Sequence, residues 1–243
     1  MRAFLLNLCL ASSLCAAEFY GTPRVDSIFP KSGTRGTSIE IQFRGDHLKQ
    51  AESVLFYSEG LTAKDMASVE EELHYNGKMR RLKEGTAMKA VFEIAEDCRV
   101  GEHHFRLHTR GGLSDAVTFW VGHLPTVNEE EPRMRRGHND TPDKAEVVEP
   151  NVTVNGYTGR TDVDVYQVEL KKGQRLSAEL NCMRLGVATR GVLPDYQLVA
   201  RSPSGDVIAR GDDSDMYLAD PILSVVVPED GAYTIEVSEP VPG

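Results

Sequence analysis

Apolar and polar residues alternate along several stretches between residues 39 and 121. This period of two predicts β-strands that bury one face and expose the other, as in antiparallel sheets. Glycine-rich turns separate the runs, and their spacing predicts a β-sandwich of about 100 residues. The inward positions of the four clearest runs are Ile39, Ile41 and Phe43; Ala90, Phe92 and Ile94; Phe105 and Leu107; and Val117, Phe119 and Val121.

The same alternation returns after residue 152 and predicts a second, jelly-roll-type sandwich. Turns are expected at Lys172-Gly173 and Ser204-Gly205. The inward faces are Tyr166, Val168 and Leu170; Leu176, Ala178 and Leu180; residues 196–200 and 222–227; and Tyr233, Ile235 and Val237. The fold class predicted for the whole chain is therefore all-β, with an immunoglobulin-like sandwich before a jelly-roll-like one.

Two segments interrupt the alternation. Residues 64–73, KDMASVEEEL, predict a short helix on a loop. Residues 125–142 contain an acidic block (128–132) followed by a basic block (133–136), which predicts an exposed charged linker. The predicted domains are then residues 18–124 and 143–243, joined by this linker.

The N-terminus has the pattern of a secretory signal peptide over residues 1–17. Arg2 supplies the positive start, an apolar run follows, and Ala16-Ala17 offers small residues for cleavage. Cys15 offers a lipoprotein alternative, which Leu14 before it disfavours. We therefore expect an exported protein (periplasmic, cell-surface or extracellular) with no membrane span in the mature chain.

Composition narrows the classes of partner. The chain of 243 residues has a formal net charge of −10, which argues against nucleic acid because a phosphate backbone is repelled by an acidic surface.

The mature chain would keep two cysteines, Cys98 and Cys182. They could pair in an exported protein, but they fall in different predicted domains, so we expect two buried free thiols.

Each half also resembles a known family. The segment IFPKSGTRGTSIEIQFRGDHL, with CRVGEHHFRLHTRGGLSDAVTFWVG later, resembles the IPT/TIG immunoglobulin-like domains. The segments NDTPDKA, VTVNGYTGRTDVDVYQVELKKGQRLSAEL, SPSGDVIARGDDS and DPILSVVVPEDGAYTIEV resemble the bacterial pre-peptidase C-terminal (PPC) domain, a β-sandwich of exported proteins. The order of the two is similar to that in large exported proteins of planctomycete-type bacteria.

The chain departs from the PPC pattern in two places. Family members carry Glu-Pro-Asn-Asp-Thr as one run, whereas residues 133–138 here separate Glu131-Pro132 from Asn139-Asp140-Thr141. The family also has one more strand after the position of Val237, so we expect the second domain to lack its last strand and the sequence to be a fragment.

The PPC resemblance implies a calcium site, because collagen-binding relatives hold calcium through acidic and Asn residues of the linker and the strand-entry loop. The matching positions here are Glu129, Glu131, Asn139, Asp140, Asp162 and Asp164. Oxygen ligands from loops suit calcium, whereas the inserted arginines oppose a cation. The alternative is that Asp162 and Asp164 are solvated turn residues, and that Asn139 and Asp140 cap a short turn.

Other polar groups favour structural roles. The Asp212–Asp215 run, with Asp220 nearby, is typical of a hairpin tip more than of a metal loop. His104 and His108 alternate in a predicted strand and should face solvent, with no ligand set for zinc.

No nucleophile elbow or Cys–His pair is visible in the sequence. We therefore predict a non-catalytic accessory module that acts as a spacer or anchor, or binds an extracellular protein or polymer. The alternative is the N-terminal part of a secreted peptidase or other hydrolase, with its catalytic domain beyond residue 243.

Overall fold

The computed structural model describes residues 21–69, 72–75, 78–81, 85–130, 138–157, 162–186, 195–215, 217 and 219–239. These residues form strands and two short 3₁₀ helices, Pro142–Lys144 and Met183–Leu185, so the all-β prediction is confirmed. None of the described segments contains a helix long and apolar enough to cross a membrane. The predicted signal peptide lies outside the described residues.

The described residues up to Gly122 form eleven strands. They are β1 (Arg24–Phe29), β2 (Ser32–Thr34), β3 (Ser38–Asp46), β4 (Ala51–Phe56), β5 (Leu61–Ser68), β6 (Glu72–Tyr75), β7 (Lys78–Arg81), β8 (Ala87–Ile94), β9 (Gly101–Thr109), β10 (Gly112–Leu113) and β11 (Val117–Gly122). One sheet has the order β1-β3-β8-β5 and the other β10-β9-β11-β2, with β4 also pairing with β9. β6 and β7 form a separate hairpin.

The inward faces of the two sheets meet in a core that contains the predicted alternating residues. Ile41, Phe43, Ala90, Phe105, Leu107, Phe119 and Val121 are among its fully buried members. The Phe92 ring lies at its centre, with centroid distances of 5.0–5.9 Å to four other phenylalanine rings. Edge-to-face aromatic packing of this kind adds to the free energy that burial itself contributes.

The predicted helix over residues 64–73 is wrong. Residues 61–68 are the strand β5, which pairs with β8. A β-bulge between Lys64 and Ala67, with Asp65 at a φ of 53°, shifts the register there. Because a bulge inserts an extra residue, it breaks the period of two that would have revealed the strand.

In the part of the chain after Gly122 that the structure describes, there are nine strands. They are β12 (Thr126–Asn128), β13 (Glu146–Val147), β14 (Thr153–Asn155), β15 (Val163–Leu170), β16 (Arg175–Glu179), β17 (Gln197–Arg201), β18 (Val207–Gly211), β19 (Ile222–Val226) and β20 (Gly231–Ser238). The main sheet has the order β13-β15-β20-β17-β18, and β16 pairs with β19. A second hydrophobic core, built around buried Tyr233 and the inward residues of these strands, is separate from the first.

Candidate functional site

The two domains are joined by a short hydrogen-bonded ladder within the segment predicted as a linker. β12 pairs in parallel with β14 of the second domain. The Asn155 side chain of β14 reaches into the first domain, where its Oδ1 accepts hydrogen bonds from Ser32 N (3.0 Å), Ser32 Oγ (2.8 Å) and Lys31 N (3.2 Å). Its Nδ2 donates to Ser32 O at 3.3 Å. This part of the predicted linker is therefore a structured joint.

Glu129 follows β12 directly and turns its carboxylate into the second domain, where it is only 7% exposed. Tyr166 Oη donates to Glu129 Oε2 at 2.9 Å, and Tyr157 N donates to Oε1. A Cβ on Gly156 would lie 2.6 Å from Oε2, so the glycine leaves room for the carboxylate. These contacts hold the Glu129 carboxylate at a fixed place beside the joint.

Asn139 is completely buried next to the start of β15. Its backbone oxygen accepts a hydrogen bond from Val165 N at 3.0 Å, which places it beside Asp164. Neither side-chain amide atom of Asn139 has a hydrogen-bond partner among the described residues, and the same is true of Asp140 Oδ1. A buried amide without a partner costs free energy, so a water or an ion bound at these atoms would stabilise the fold.

Asp162 and Asp164 are 6% and 3% exposed. The interpretation of both as solvated turn residues is therefore wrong. Burial, with the charges of Glu129 and Asp164, raises the pKa of the Tyr166 phenol, which indicates that negative charge converges at this point. Glu131, the remaining predicted ligand, lies outside the described residues.

The residue types suit calcium, but among the described residues no three of the carboxylates of Glu129, Asp140, Asp162 and Asp164 bring their oxygens within 4.8 Å of one another, as those of Asp195, Asp212 and Asp213 do. Carboxylates and an Asn side-chain carbonyl are ligands that calcium accepts in irregular sets of six to eight oxygens. The Oδ1 atoms of Asn139 and Asp140 are buried without a hydrogen-bond partner among the described residues, and these are the atoms that a cation could bind, whereas Asn139 Nδ2 is a donor that a cation would not satisfy. We call Glu129, Asn139, Asp140, Asp162 and Asp164 the candidate metal centre.

The aspartates near the chain's second half separate into two groups. Asp212 and Asp213 are exposed, and their carboxylates approach that of Asp195, with the ligand atoms within 4.8 Å of one another. Asp220 is fully buried and accepts hydrogen bonds from the backbone N–H groups of Cys182 (2.9 Å), Met183 (2.7 Å) and Arg184 (3.2 Å). Asp220 therefore shapes the 3₁₀ helix Met183–Leu185.

Cys98 and Cys182 are both free and buried, so that prediction is confirmed. Burial, aided by the charge of Asp220, raises the pKa of the Cys182 thiol to about 12. It is therefore protonated and unreactive at neutral pH.

The neighbouring histidines His103, His104 and His108 also contact other residues of the fold. His103 is buried, with its ring nitrogens 2.5 Å from Ser58 Oγ and 2.6 Å from Arg99 O. His104 is exposed, as predicted, and lies 3.1 Å from Thr118 Oγ1. His108 is half-buried beside Glu52.

Sequence reasoning missed a cleft between the domains. It holds about 350 Å³ and is lined by Trp120 of β11, by β9 and the residues before it, and by Arg184 and Tyr217 of the second domain. The outward position of Trp120 is readable from the alternation of β11, whose neighbouring residues Phe119 and Val121 point inward. The approach of Tyr217 depends on how the two domains meet, which no local pattern reveals.

No family model matches the chain, and no curated protein matches it. Three of the similar solved structures are a Bacteroides ovatus SGBP-B of a mixed-linkage glucan utilization locus in complex with a mixed-linkage heptasaccharide, domains 5–6 of the S-layer protein SbsC, and the secreted serine protease VesC of Vibrio cholerae.

Their sequence identities are 12%, 9% and 10%, and the TM-scores are 0.30, 0.28 and 0.23 in the same order. The matches cover 90%, 90% and 86% of this chain, and 39%, 100% and 45% of those chains. This chain thus spans well under two thirds of SGBP-B. Similarities this low carry no argument about function.

Proposed function

We propose that the chain is a non-catalytic accessory module of an exported protein, in which a calcium ion fixes the joint between two β-sandwiches. The pair then presents one rigid surface to an extracellular polymer or protein. The observation that carries the proposal is the candidate metal centre beside the joint, with the fully buried and unpartnered amide of Asn139.

The energetic argument concerns buried negative charge. Taking a carboxylate out of water costs several kcal/mol unless a cation or hydrogen bonds compensate. Glu129, Asp162 and Asp164 are at most 7% exposed, and Glu129 accepts hydrogen bonds from Tyr166 Oη and Tyr157 N. Burial, followed by the charges of Glu129 and Asp164, raises the pKa of Tyr166. A divalent cation would add to the compensation that these hydrogen bonds give and would also use the Asn139 carbonyl.

The position of the centre gives the ion a mechanical role. Glu129 directly follows β12, and Glu129 N donates to Asn155 O at 2.9 Å. The Asn155 side chain in turn holds the backbone of Ser32 in the first domain. A cation bound by Glu129 and Asn139 would therefore hold the ladder between the domains.

The non-catalytic part of the proposal rests on the surroundings of the residues that could act as a nucleophile or a base. The structure brings together a Cys–His pair that the sequence did not reveal, with His103 Nε2 3.8 Å from Cys98 Sγ. Burial raises the pKa of the Cys98 and Cys182 thiols, and the His103 ring is held by Ser58 and a backbone carbonyl. These groups have structural surroundings.

Calcium is expected to raise the melting midpoint of the purified protein. Calcium at about 100 times its Kd contributes about 2.7 kcal/mol, which corresponds to roughly 5–10 °C for a chain of this size. Differential scanning calorimetry in EDTA and then in excess CaCl₂ measures the shift. Magnesium should give a smaller shift because it loses its water ligands reluctantly.

Three variants test the assignment. Asn139→Ala should lose the calcium shift but melt in EDTA close to the unaltered protein, because the substitution removes an amide that has no partner. Asp164→Asn should also lose the shift. Asp213→Asn, in the exposed aspartate group, is the matched control and should keep it. An unchanged midpoint on adding calcium, or a shift lost only in Asp213→Asn, would refute the candidate metal centre.

A further inference from the structure

The interdomain cleft has the chemistry of a ligand site. Its volume of about 350 Å³ lies within the range of small-ligand pockets. The lining side chains are Arg99, Glu102, His104 and Trp120 of the first domain and Arg184 and Tyr217 of the second. Aromatic rings and polar groups of both signs thus face one space, and neither domain builds it alone.

The pairing of β9 with β11 determines which side chains of the first domain line the cleft. β9 and β11 are antiparallel, with Trp120 opposite Glu102 and Thr118 opposite His104. Directly opposed residues project on the same face of the sheet. Phe119 and Val121, which flank Trp120 in β11, point the other way and are buried in the core. The indole, a carboxylate and an imidazole are therefore neighbours on the outer face of the sheet.

The second domain supplies a prearranged wall. The Arg184 guanidinium lies 3.8 Å from the centroid of the Tyr217 ring and 5.7 Å from that of Trp120. Its Nε contacts Asp220 Oδ2 at 2.9 Å and its Nη2 contacts Glu179 Oε1 at 2.7 Å. These ion pairs fix the guanidinium over the Tyr217 ring and near Trp120, so little side-chain entropy is lost when a ligand binds.

The cleft offers no unmatched positive charge. Arg184 pairs with two carboxylates, Asp220 and Glu179, and the other charged lining residues are Arg99 and Glu102, so these five groups sum to −1. An anionic ligand would gain little from Arg184 and would meet the charge of Glu102. With no unmatched positive charge and only one net negative charge, the lining suits an uncharged ligand that has both hydroxyl donors and hydroxyl acceptors.

We propose that this cleft binds an uncharged carbohydrate, with a sugar ring against Trp120 beside the stacked pair of Arg184 and Tyr217, and its hydroxyl groups bonded to Arg99, Glu102 and His104. Sugar rings combine an apolar C–H face with a polar rim, which matches aromatic rings bordered by polar groups. This inference rests on the proposed function as a binding module and names the class of its ligand.

Trp120 is the one tryptophan of the chain, so its fluorescence reports directly on the cleft. The purified protein is titrated with laminarin, mixed-linkage β-glucan, xyloglucan, galactomannan and amylopectin, and with polygalacturonate as an anionic comparison. We expect a saturable change in Trp120 emission, and protection from acrylamide quenching, with at least one neutral polysaccharide. Polygalacturonate should give neither.

Affinity electrophoresis in gels that contain the bound polysaccharide extends the test to variants without the tryptophan. Trp120→Ala and Tyr217→Ala should each weaken binding at least tenfold. Tyr57→Ala is the matched control, because Tyr57 is a 66% exposed aromatic residue that does not line the cleft. It should bind within twofold of the unaltered protein, and Glu102→Gln should weaken binding while the melting midpoint stays unchanged.

The results separate this inference from the proposed function. Binding of no neutral polysaccharide, or binding that Trp120→Ala and Tyr217→Ala leave intact, would overturn the cleft assignment. A calcium-dependent melting shift in the same preparations would show that the proposed function survives that result. Equal losses of polysaccharide binding in Tyr57→Ala and Trp120→Ala would also overturn the cleft assignment, because the binding site would then be the sheet surface.

Discussion

Asp220→Ala is expected to lower the free energy of unfolding by about 3–5 kcal/mol. The fully buried carboxylate accepts three backbone N–H groups at the 3₁₀ helix and also contacts Arg184 Nε at 2.9 Å. Alanine leaves those donors without an acceptor and removes one of the two acidic partners of Arg184. Urea denaturation at neutral pH, followed by circular dichroism and by Trp120 fluorescence, measures the loss.

Two further variants keep this prediction testable if Asp220→Ala does not fold. Asp220→Asn retains an oxygen for the N–H groups of Cys182 and Met183 but loses the charge opposite Arg184, so about 1–3 kcal/mol should be lost. Asp213→Ala removes an exposed carboxylate earlier in the chain and should change stability by less than about 0.5 kcal/mol. Similar values for the Asp213 and Asp220 variants would contradict the anchoring role.

The strands were predictable because their signal is local. Residues such as Phe43, Phe92 and Phe119 alternate with polar neighbours, and each is buried in the structure. The strand β5 was not predictable by the same argument. Its bulge between Lys64 and Ala67 disrupts the alternation, and its edge position leaves several polar residues in place of an apolar face.

The candidate metal centre was only partly predictable. The residue types at Asn139, Asp162 and Asp164 were identified through a family resemblance, whereas local turn chemistry argued for solvated side chains. Their burial depends on β15 lying against the segment that carries Asn139 and on Glu129 approaching Tyr166. Those contacts join residues far apart in sequence, which a local pattern does not encode.

The joint between the domains shows a different limit. β12 has the sequence Thr-Val-Asn, and its one apolar residue, Val127, is exposed. Hydrophobic patterning therefore assigns the segment to an exposed linker. The order comes from backbone pairing with β14 and from the amide of Asn155, and hydrogen bonds of this kind leave no trace in the apolar pattern.

Asn155→Ala is expected to uncouple the two domains, at a cost of about 2–4 kcal/mol. The substitution leaves the N–H groups of Lys31 and Ser32 without their acceptor and Ser32 O without its donor, at an interface that the asparagine itself fills. Since each domain has its own hydrophobic core, weakening the joint should separate their unfolding. Calorimetry should show one transition for the unaltered protein in calcium and two for the variant.

Asn128→Ala is the control for this result. Asn128 is exposed, and its side chain meets that of Asn155 through one 3.4 Å bond, while its backbone pairing in β12 is unaffected by the substitution, so the variant should keep a single transition within about 0.5 kcal/mol of the unaltered protein. Because the cleft needs both domains, Asn155→Ala should also make Trp120 more accessible to acrylamide. A single transition with unchanged quenching would show that other contacts, such as the stacked rings of Phe29 and Tyr157 at 4.1 Å, hold the domains together without Asn155.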